Sequence, residues 1–281
     1  MKDKTNIFRY FFLVSGLISA YFLTGCEKVI NLDLKVAPPV MVIYGAVSDS
    51  AGPYVVTLSN SGSYFNPPVA SPVTGASVII SDNMGTVDTL KEFPAGTYHT
   101  SKLQGVPGRT YTLNVVSGNQ LYTATSTMHS HVNIDSMIVV KAQLSGFGFG
   151  RKVNSVYDLY CYFNDPLEKN YYRLRTFIND STNVFNIRLY NDQYTNGEET
   201  ELSAGRINAG DTCRIELLSL DQQTYEYYFT LNDLLHQNPI FGGTPANPVN
   251  NISNGAQGDF AAWAISYKNI VITDLLMKKV K

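Results

Sequence analysis

The amino-acid sequence predicts a mainly β protein, in which a β-sandwich is followed by a second β domain that carries one packed helix. Composition is the first reason, because 19 tyrosines, 21 glycines and 12 prolines favour strands and turns over helices. The second reason is a series of short apolar or alternating runs separated by turn residues, which is typical of all-β folds. A single helical pattern in the second half of the chain accounts for the helix.

Residues 1–25 have the form of a cleaved signal peptide. An apolar run at 10–23 follows basic residues, and it is too short for a comfortable transmembrane helix. Leu23-Thr-Gly-Cys26 ends this run as a bacterial lipobox would, with a small residue before the cleaved bond. The alternative is an uncleaved anchor with a chance cysteine, but the chain turns polar directly after Cys26.

Cys26 is therefore the predicted lipidation site, at the start of a mature, exported protein. Several acyl chains, at about 0.8 kcal/mol per buried methylene, would hold such a protein on a membrane. Residues 26–37 are expected to be a tether. The formal net charge is −2 and no basic patch is present, so we expect no nucleic-acid partner.

Residues 38–130 are predicted to form the sandwich. The run at 40–47 is continuously apolar, as expected for a core strand. The later strands are predicted at 54–58, 72–82, 96–98, 108–116 and 121–127. Their motifs, Ala-x-Val-x-Ile-x-Asp, Gly-x-Tyr and Tyr-x-Leu-x-Val in that order, resemble the immunoglobulin-like and transthyretin-like sandwiches of many exported proteins.

A domain boundary is predicted near residues 128–134, where a polar stretch with two histidines breaks the strand pattern. The second β domain then spans 134–281. Its strands are predicted at 134–144, 156–163, 171–178, 184–190, 199–207, 212–218 and within 260–272.

The helix is predicted near residues 221–237. Ser219 and Gln222 have the spacing of a capping box, with the serine as N-cap. Apolar residues at i, i+1, i+4, i+7 and i+8 define the face that we expect to pack on the second domain. These residues are Tyr227, Tyr228, Leu231, Leu234 and Leu235.

Cys161 and Cys213 both fall on the inward face of a predicted strand. In an exported protein they could join as a disulfide. The alternative is two buried free thiols that act as small apolar residues. We favour the thiols, because a disulfide requires the two strands to be neighbours.

Short motifs in the second half occur in a recognisable order and spacing. They are Asn164-Asp-Pro166, Asn170-Tyr-Tyr-Arg173, Gly210-Asp211 before Arg214-Ile-Glu-Leu217, Tyr225-x-Tyr-Tyr228, Pro245-x-Asn-Pro248 and Asn251-Ile-x-Asn-Gly255. This pattern resembles a family of Bacteroidota lipoproteins known as a domain of unknown function, over nearly the whole chain after Cys26. One departure is the run Gly255-Ala-Gln-Gly-Asp-Phe260, where the family often has Gly-Tyr-Phe or Gly-Ala.

The resemblance implies a cellular context and no chemistry. Lipoproteins of this family are typically encoded beside TonB-dependent outer-membrane transporters, and the family has no accepted catalytic residues that could be transferred. It therefore implies an outer-membrane location, on the periplasmic or the cell-surface face, and a TonB-dependent barrel as a partner.

Candidate catalytic or metal-binding residues are few. His129 and His131 could share a metal if they lay on a strand, but a polar linker explains them as well. Asp165 and Glu168 could form a carboxylate pair, although a proline-containing turn is the simpler interpretation. No nucleophile elbow, zinc-binding helix or P-loop motif is present. The sequence thus predicts no enzyme, no cofactor and no metal.

Candidate ligand- or partner-binding residues share aromatic or guanidinium side chains on loops or at a strand edge. They are Phe147 and Phe149 in a glycine-rich loop, Phe241 in a long loop, and Tyr171, Tyr172 and Arg173 in the Asn-Tyr-Tyr-Arg motif. The alternatives are ordinary linkage, with the phenylalanines folded inward, and structural roles at the strand edge.

The leading functional hypothesis is a non-enzymatic outer-membrane lipoprotein. It would assist a TonB-dependent transporter, by capturing a ligand or by covering the mouth of the barrel. The alternative is a surface adhesin or a structural interaction module. A hydrolase of unrecognised geometry ranks last, because no nucleophile–base pair is visible in the sequence.

Overall fold

The structure of this protein is a computed structural model. The described residues are 38–62, 71–142, 156–181, 186–236 and 246–272. The predicted signal peptide, tether and lipidated Cys26 lie outside these ranges, and so do Phe147, Phe149 and Phe241. Within the described residues, no helix is long and apolar enough to cross a membrane.

Strands make up most of the described secondary structure, which confirms the mainly β fold class. In chain order they are β1 (Met41–Ser48), β2 (Val55–Asn60), β3 (Ser71–Pro72), β4 (Ser77–Asp82), β5 (Val87–Thr89), β6 (Lys91–Glu92), β7 (Thr97–His99), β8 (Thr110–Ser117), β9 (Gln120–Thr127), β10 (Ser136–Lys141), β11 (Val156–Asn164), β12 (Tyr171–Ile178), β13 (Arg188–Asn191), β14 (Glu199–Asn208), β15 (Thr212–Leu220) and β16 (Gln257–Val271). The helix α1 spans Gln222–His236, close to its predicted position.

Three sheets contain these strands. The large sheet has the order β13-β12-β15-β16-β1-β2-β7-β6, with β3 paired beside β2. A four-stranded sheet has the order β5-β4-β8-β9, and a three-stranded sheet has the order β10-β11-β14.

The predicted sandwich is present in the first half of the described chain. Ile43, Val56 and Leu58 point from the large sheet into a hydrophobic cluster, and Val78 and Leu113 meet them from the four-stranded sheet. These positions alternate with more exposed residues along each strand, as expected for strands with one buried face.

The predicted boundary near residues 128–134 does not separate two sheets. β16 pairs in parallel with β1, from Val42 opposite Gln257 to Ser48 opposite Trp263, and it pairs in antiparallel fashion with β15. Strands from both predicted domains therefore belong to the large sheet. The physical reason is that β16 covers the edge of β1, which would otherwise present unpaired backbone groups.

A second hydrophobic cluster lies between the three-stranded sheet and strands β12 and β15. It contains Cys161 of β11 and Cys213 of β15, both of which are buried free thiols. Burial raises the pKa of Cys161 to about 12 and that of Cys213 to about 11. The two cysteines are therefore protonated, apolar core residues. This agrees with the free thiols that the sequence analysis favoured over a disulfide.

The N-cap of α1 is Asp221, and the predicted Ser219 cap is wrong. The Oδ1 atom of Asp221 accepts a hydrogen bond from the Thr224 backbone N–H at 2.8 Å, whereas Ser219 is a buried residue of β15. Its Oδ2 atom accepts hydrogen bonds from the Ser126 hydroxyl at 2.6 Å and the Thr127 N–H at 3.0 Å. Aspartate suits this position because it caps the helix and places a negative charge at the helix N-terminus.

The predicted apolar face of α1 is only partly buried. Tyr227 is buried, Leu231 and Leu234 are half-buried, and Leu235 is 43% exposed. The helix contacts β12, β13 and β16, so it lies on the face of the large sheet that points away from the sandwich interior. Tyr225 packs against the cluster that contains Tyr171, Leu218 and Leu220.

Candidate binding site

The Asn-Asp-Pro and Asn-Tyr-Tyr-Arg motifs build the connection between β11 and β12. Asp165 is buried, and its Oδ1 atom accepts a hydrogen bond from the Tyr172 hydroxyl at 2.5 Å. Its Oδ2 atom accepts a hydrogen bond from the Gly197 N–H at 3.3 Å. Because Glu168 is exposed while Asp165 is buried, the two do not form a carboxylate pair, and the turn interpretation applies.

A second buried aspartate joins this connection to the one between β13 and β14. The Oδ2 atom of Asp192 accepts a hydrogen bond from the Asn170 N–H at 2.6 Å. The Asp165 N–H also donates to the Glu198 carbonyl at 3.0 Å. Residues 165–170 and 192–198 therefore form one hydrogen-bonded unit, which we call the loop tip.

Strand alternation separates the three predicted binding residues of β12. Tyr171 lies on the helix side, with its ring centroid 4.8 Å from that of Tyr225. Arg173 lies on the same side, with its guanidinium 4.0 Å from the ring centroid of Tyr228. Tyr172 points the other way, into the core, where its ring centroid is 5.0 Å from that of Phe163. The structure thus brings Tyr171 and Arg173 under α1 and excludes Tyr172 from any shared ligand face.

Asp259 of β16 is a buried carboxyl on the same helix-covered face. It lies opposite Tyr44 in the β1–β16 pair, and the Tyr227 hydroxyl donates to that of Tyr44 at 3.1 Å. Neither carboxylate oxygen of Asp259 has a hydrogen-bond partner among the described residues. Burial raises the pKa of Asp259 well above its usual range, the Asp221 carboxylate raises it further, and Arg173 opposes both.

The Asp259→Asn variant is expected to be more stable than the wild type at neutral and alkaline pH, by a few degrees in Tm. A raised pKa means that the folded state binds more protons than the unfolded state, so wild-type stability falls as pH rises above the unfolded value of about 3.9. The amide cannot ionise, so its advantage should disappear as the pH is lowered toward that value. Thermal unfolding across pH tests this, with Asp233→Asn on the exposed face of α1 as the control. Parallel pH profiles for wild type and Asp259→Asn would contradict the prediction.

A cavity of about 390 Å³ opens beside β12 and β14. Its lining includes Arg173, Arg175, Arg188 and Arg206, although the side chains of Arg173 and Arg175 turn to the helix side of β12. None of the described residues that line it is acidic. Two of these arginines are ion-paired outside the lining, Arg175 with Glu216 at 2.5 Å and Arg206 with Asp158 at 3.2 Å. We call this space the arginine cavity.

Arg188 is held in the wall of the arginine cavity by neutral oxygen atoms. Its guanidinium donates to the Ala204 carbonyl and, at 3.3 Å, to the Thr176 hydroxyl. The β11–β14 pairing shifts register beside Ala204, between Leu159 and Tyr160, and this β-bulge leaves the Ala204 carbonyl free of the ladder. Bulges of this kind commonly occur next to functional sites, where they redirect backbone groups.

Sequence reasoning missed Arg188 and Arg206 as site residues. The available signal was Gly205 inside the strand predicted at 199–207, because a glycine within a strand often marks a bulge or a close approach. Local sequence does not indicate that Arg188 lies across the cavity and hydrogen-bonds to the bulge.

The described part of the long loop before β16 is hydrogen-bonded to strand β9 of the sandwich. Asn251 donates from Nδ2 to the Thr125 carbonyl at 3.2 Å and exchanges hydrogen bonds with the backbone of Phe260. The Ser253 hydroxyl accepts from the Thr123 N–H at 2.8 Å. The Asn-Ile-x-Asn-Gly motif is therefore structural, while Phe241 stays an untested prediction outside the described residues.

The two histidines of the linker do not share a strand face. His129 and His131 lie between β9 and β10, outside the strands, so the alternation that would align them is missing. His131 instead places Nε2 3.1 Å from the Ile265 carbonyl oxygen. Across the described ranges, no group of three or more His, Cys, Asp or Glu side chains is arranged to hold a metal ion.

Comparisons with known proteins give a family match and distant fold likenesses. A family model described as "Domain of unknown function (DUF4249)" matches residues 27–269. No curated protein matches the chain. Similar solved structures include the adhesin InvE of Yersinia pseudotuberculosis, with 16% identity, a TM-score of 0.21 and coverage of 64% of this chain and 55% of that one. Another is the chicken interferon gamma receptor alpha chain, with 10% identity, a TM-score of 0.17 and coverage of 65% and 89%. At these TM-scores neither likeness supports a functional argument.

Proposed function

This chain belongs to the DUF4249 family, and on that premise we propose that it is a non-enzymatic, lipid-anchored binding protein of a Bacteroidota outer membrane. It captures an anionic ligand and delivers it to a TonB-dependent transporter. Lipidation at Cys26 anchors it, as the lipobox at residues 23–26 predicts. Its action is binding, because the sequence carries no recognised catalytic motif.

The arginine cavity is the observation that carries this proposal. Its volume of about 390 Å³ falls in the usual range of small-molecule sites, which is roughly 300–1,000 Å³. Guanidinium groups present rigid forks of N–H donors that match carboxylate, sulfate and phosphate groups. A cavity with Arg188 in its wall and no acidic residue among its described lining residues favours ligand capture over a purely steric role at the barrel mouth.

The full-length lipoprotein purified from native membranes is expected to bring a TonB-dependent barrel with it. Mass spectrometry of the co-purified proteins checks this. The Cys26→Ser variant cannot form the thioether, so it should lose both its membrane anchoring and the co-purified barrel. If the wild-type protein brings no barrel, the transporter proposal fails and the adhesin alternative takes its place.

The Arg206→Gln variant is expected to weaken anion binding by about tenfold, the effect of losing one charge-assisted hydrogen bond. Its stability without ligand should stay near that of wild type, because the Arg206 side chain is 65% exposed and such ion pairs contribute about 0–1 kcal/mol. Thermal shift with citrate, inorganic phosphate and a sulfated disaccharide as probes measures both quantities, and Arg206→Lys is the charge-preserving control. The ligand proposal fails if none of these probes shifts the wild type, or if Arg206→Gln responds as the wild type does.

A further inference from the structure

We propose that the loop tip is the contact surface for the barrel partner, and that the partner offers it an apolar pocket with a basic rim. This inference deepens the proposed function and rests on it. The loop tip comprises residues 165–170 and 192–198, which meet at one end of strands β11 to β14.

Two apolar side chains project from the loop tip. Leu167 is 84% exposed and Tyr194 is 87% exposed, and these are the most exposed large hydrophobic residues in the described ranges. Scattered exposed apolar residues are normal on protein surfaces, so exposure alone does not define a contact site. Their shared location on one hydrogen-bonded unit, and the contact of Leu167 with Gly197, set these two apart.

The loop tip is rigidly built around its apolar side chains. Asp165 and Asp192 are both buried in it and both accept hydrogen bonds from backbone N–H groups of the tip. Leu167 lies directly against Gly197 of the second loop, since a Cβ atom at Gly197 would fall 2.5 Å from Leu167 Cδ2. An apolar side chain that already packs against its own backbone, as Leu167 does, loses less conformational entropy on binding, so it suits a specific contact.

The charge around the loop tip identifies the chemistry of the partner. Glu168, Glu198 and the adjacent Glu199 are exposed, and Lys169 is the basic residue of the tip. An apolar centre with an acidic rim is complementary to an apolar pocket that is rimmed by lysine or arginine. The same excess of carboxylates repels an anionic lipid surface, which makes a protein the favoured occupant.

The test compares two double variants of the full-length lipoprotein in detergent-solubilised native membranes. Leu167→Ser/Tyr194→Ser changes the loop tip, and Met84→Ser/Phe93→Ser changes two other highly exposed side chains, at 70% and 79% exposure. We expect the loop-tip variant to lose about tenfold or more of the co-purified barrel, as removal of interface anchors does. The control should keep the barrel, and both should melt near the wild-type temperature.

Charge reversal gives an independent measurement. Glu168→Lys/Glu198→Lys should also reduce the recovered barrel, and rising salt should reduce recovery with the wild type more than with this variant. Retention of the barrel by both loop-tip variants would overturn the inference and leave the proposed function standing. Absence of the barrel from the wild-type preparation would remove both.

Discussion

Gly258→Ala is expected to lower the free energy of unfolding by about 4 kcal/mol or more, at the upper end of single substitutions. Gly258 lies opposite Ile43 in the parallel β1–β16 pair and has a φ of +115°. A Cβ atom there would lie 1.9 Å from the Ile43 carbonyl oxygen. Because that neighbour is backbone, relief requires the two strands to separate, which opens the centre of the large sheet.

Gly255→Ala is the matched control for this prediction. Gly255 also has a positive φ, of +73°, but nothing lies within 4 Å of a Cβ atom built there. It should cost only the conformational strain, about 1–2 kcal/mol. Chemical denaturation of the three proteins measures the difference, and equal losses for the two variants would show that Gly258 does not require close approach of β1.

Asp88→Ala is expected to cost about 3 kcal/mol or more. Asp88 is 1% exposed, and its Oδ2 atom accepts hydrogen bonds from the N–H groups of Ser101, Lys102 and Leu103 at 2.7 to 2.9 Å. Truncation leaves these donors without their acceptor, and each unsatisfied buried group costs about 1–3 kcal/mol. Burial alone would raise the pKa of Asp88, but these hydrogen bonds outweigh it and lower the pKa.

The lowered pKa adds a pH signature to the Asp88 prediction. A carboxyl with a depressed folded-state pKa contributes stability above its unfolded pKa, of about 3.9, and loses it as pH falls through the folded value. The deficit of Asp88→Ala should therefore be full at neutral pH and shrink under acid. Urea unfolding at several pH values measures this, with the exposed Asp233→Ala as control, and a deficit that does not change on acidification would contradict it.

Local periodicity explains how much of the fold could be predicted. The sequence alternation in β2, β4 and β8 predicts an apolar residue on one face at every second position. The structure buries that face in the sandwich core. The helix was predictable for the same reason, with a period near 3.6. Its cap was not, because Ser219 and Asp221 are both good caps and hydrogen bonds from β9 favour the aspartate.

The candidate site depended on information that is absent from local sequence. Alternation along β12 separates Tyr172 from Tyr171 and Arg173, and this could have been predicted. The arginine cavity could not, because Arg188 reaches Ala204 across two different sheets. The Asn-Asp-Pro motif was visible, but its partner Gly197 follows in a loop that carries no matching pattern.

The parallel pairing of β1 with β16 also determines the order in which the protein can fold. The Asp49 carboxylate accepts a hydrogen bond from the Ile265 N–H at 2.9 Å, across 216 residues of sequence. Closing so long a loop costs chain entropy before the stabilising contacts have formed. A fold with many contacts between distant residues, that is, with high contact order, therefore folds slowly. During synthesis β1 emerges early and pairs with β2 on one side. Its other edge stays unpaired until β16 has been synthesised. That edge is a template for pairing with another chain, so a chaperone that shields β1 should raise the yield of folded protein.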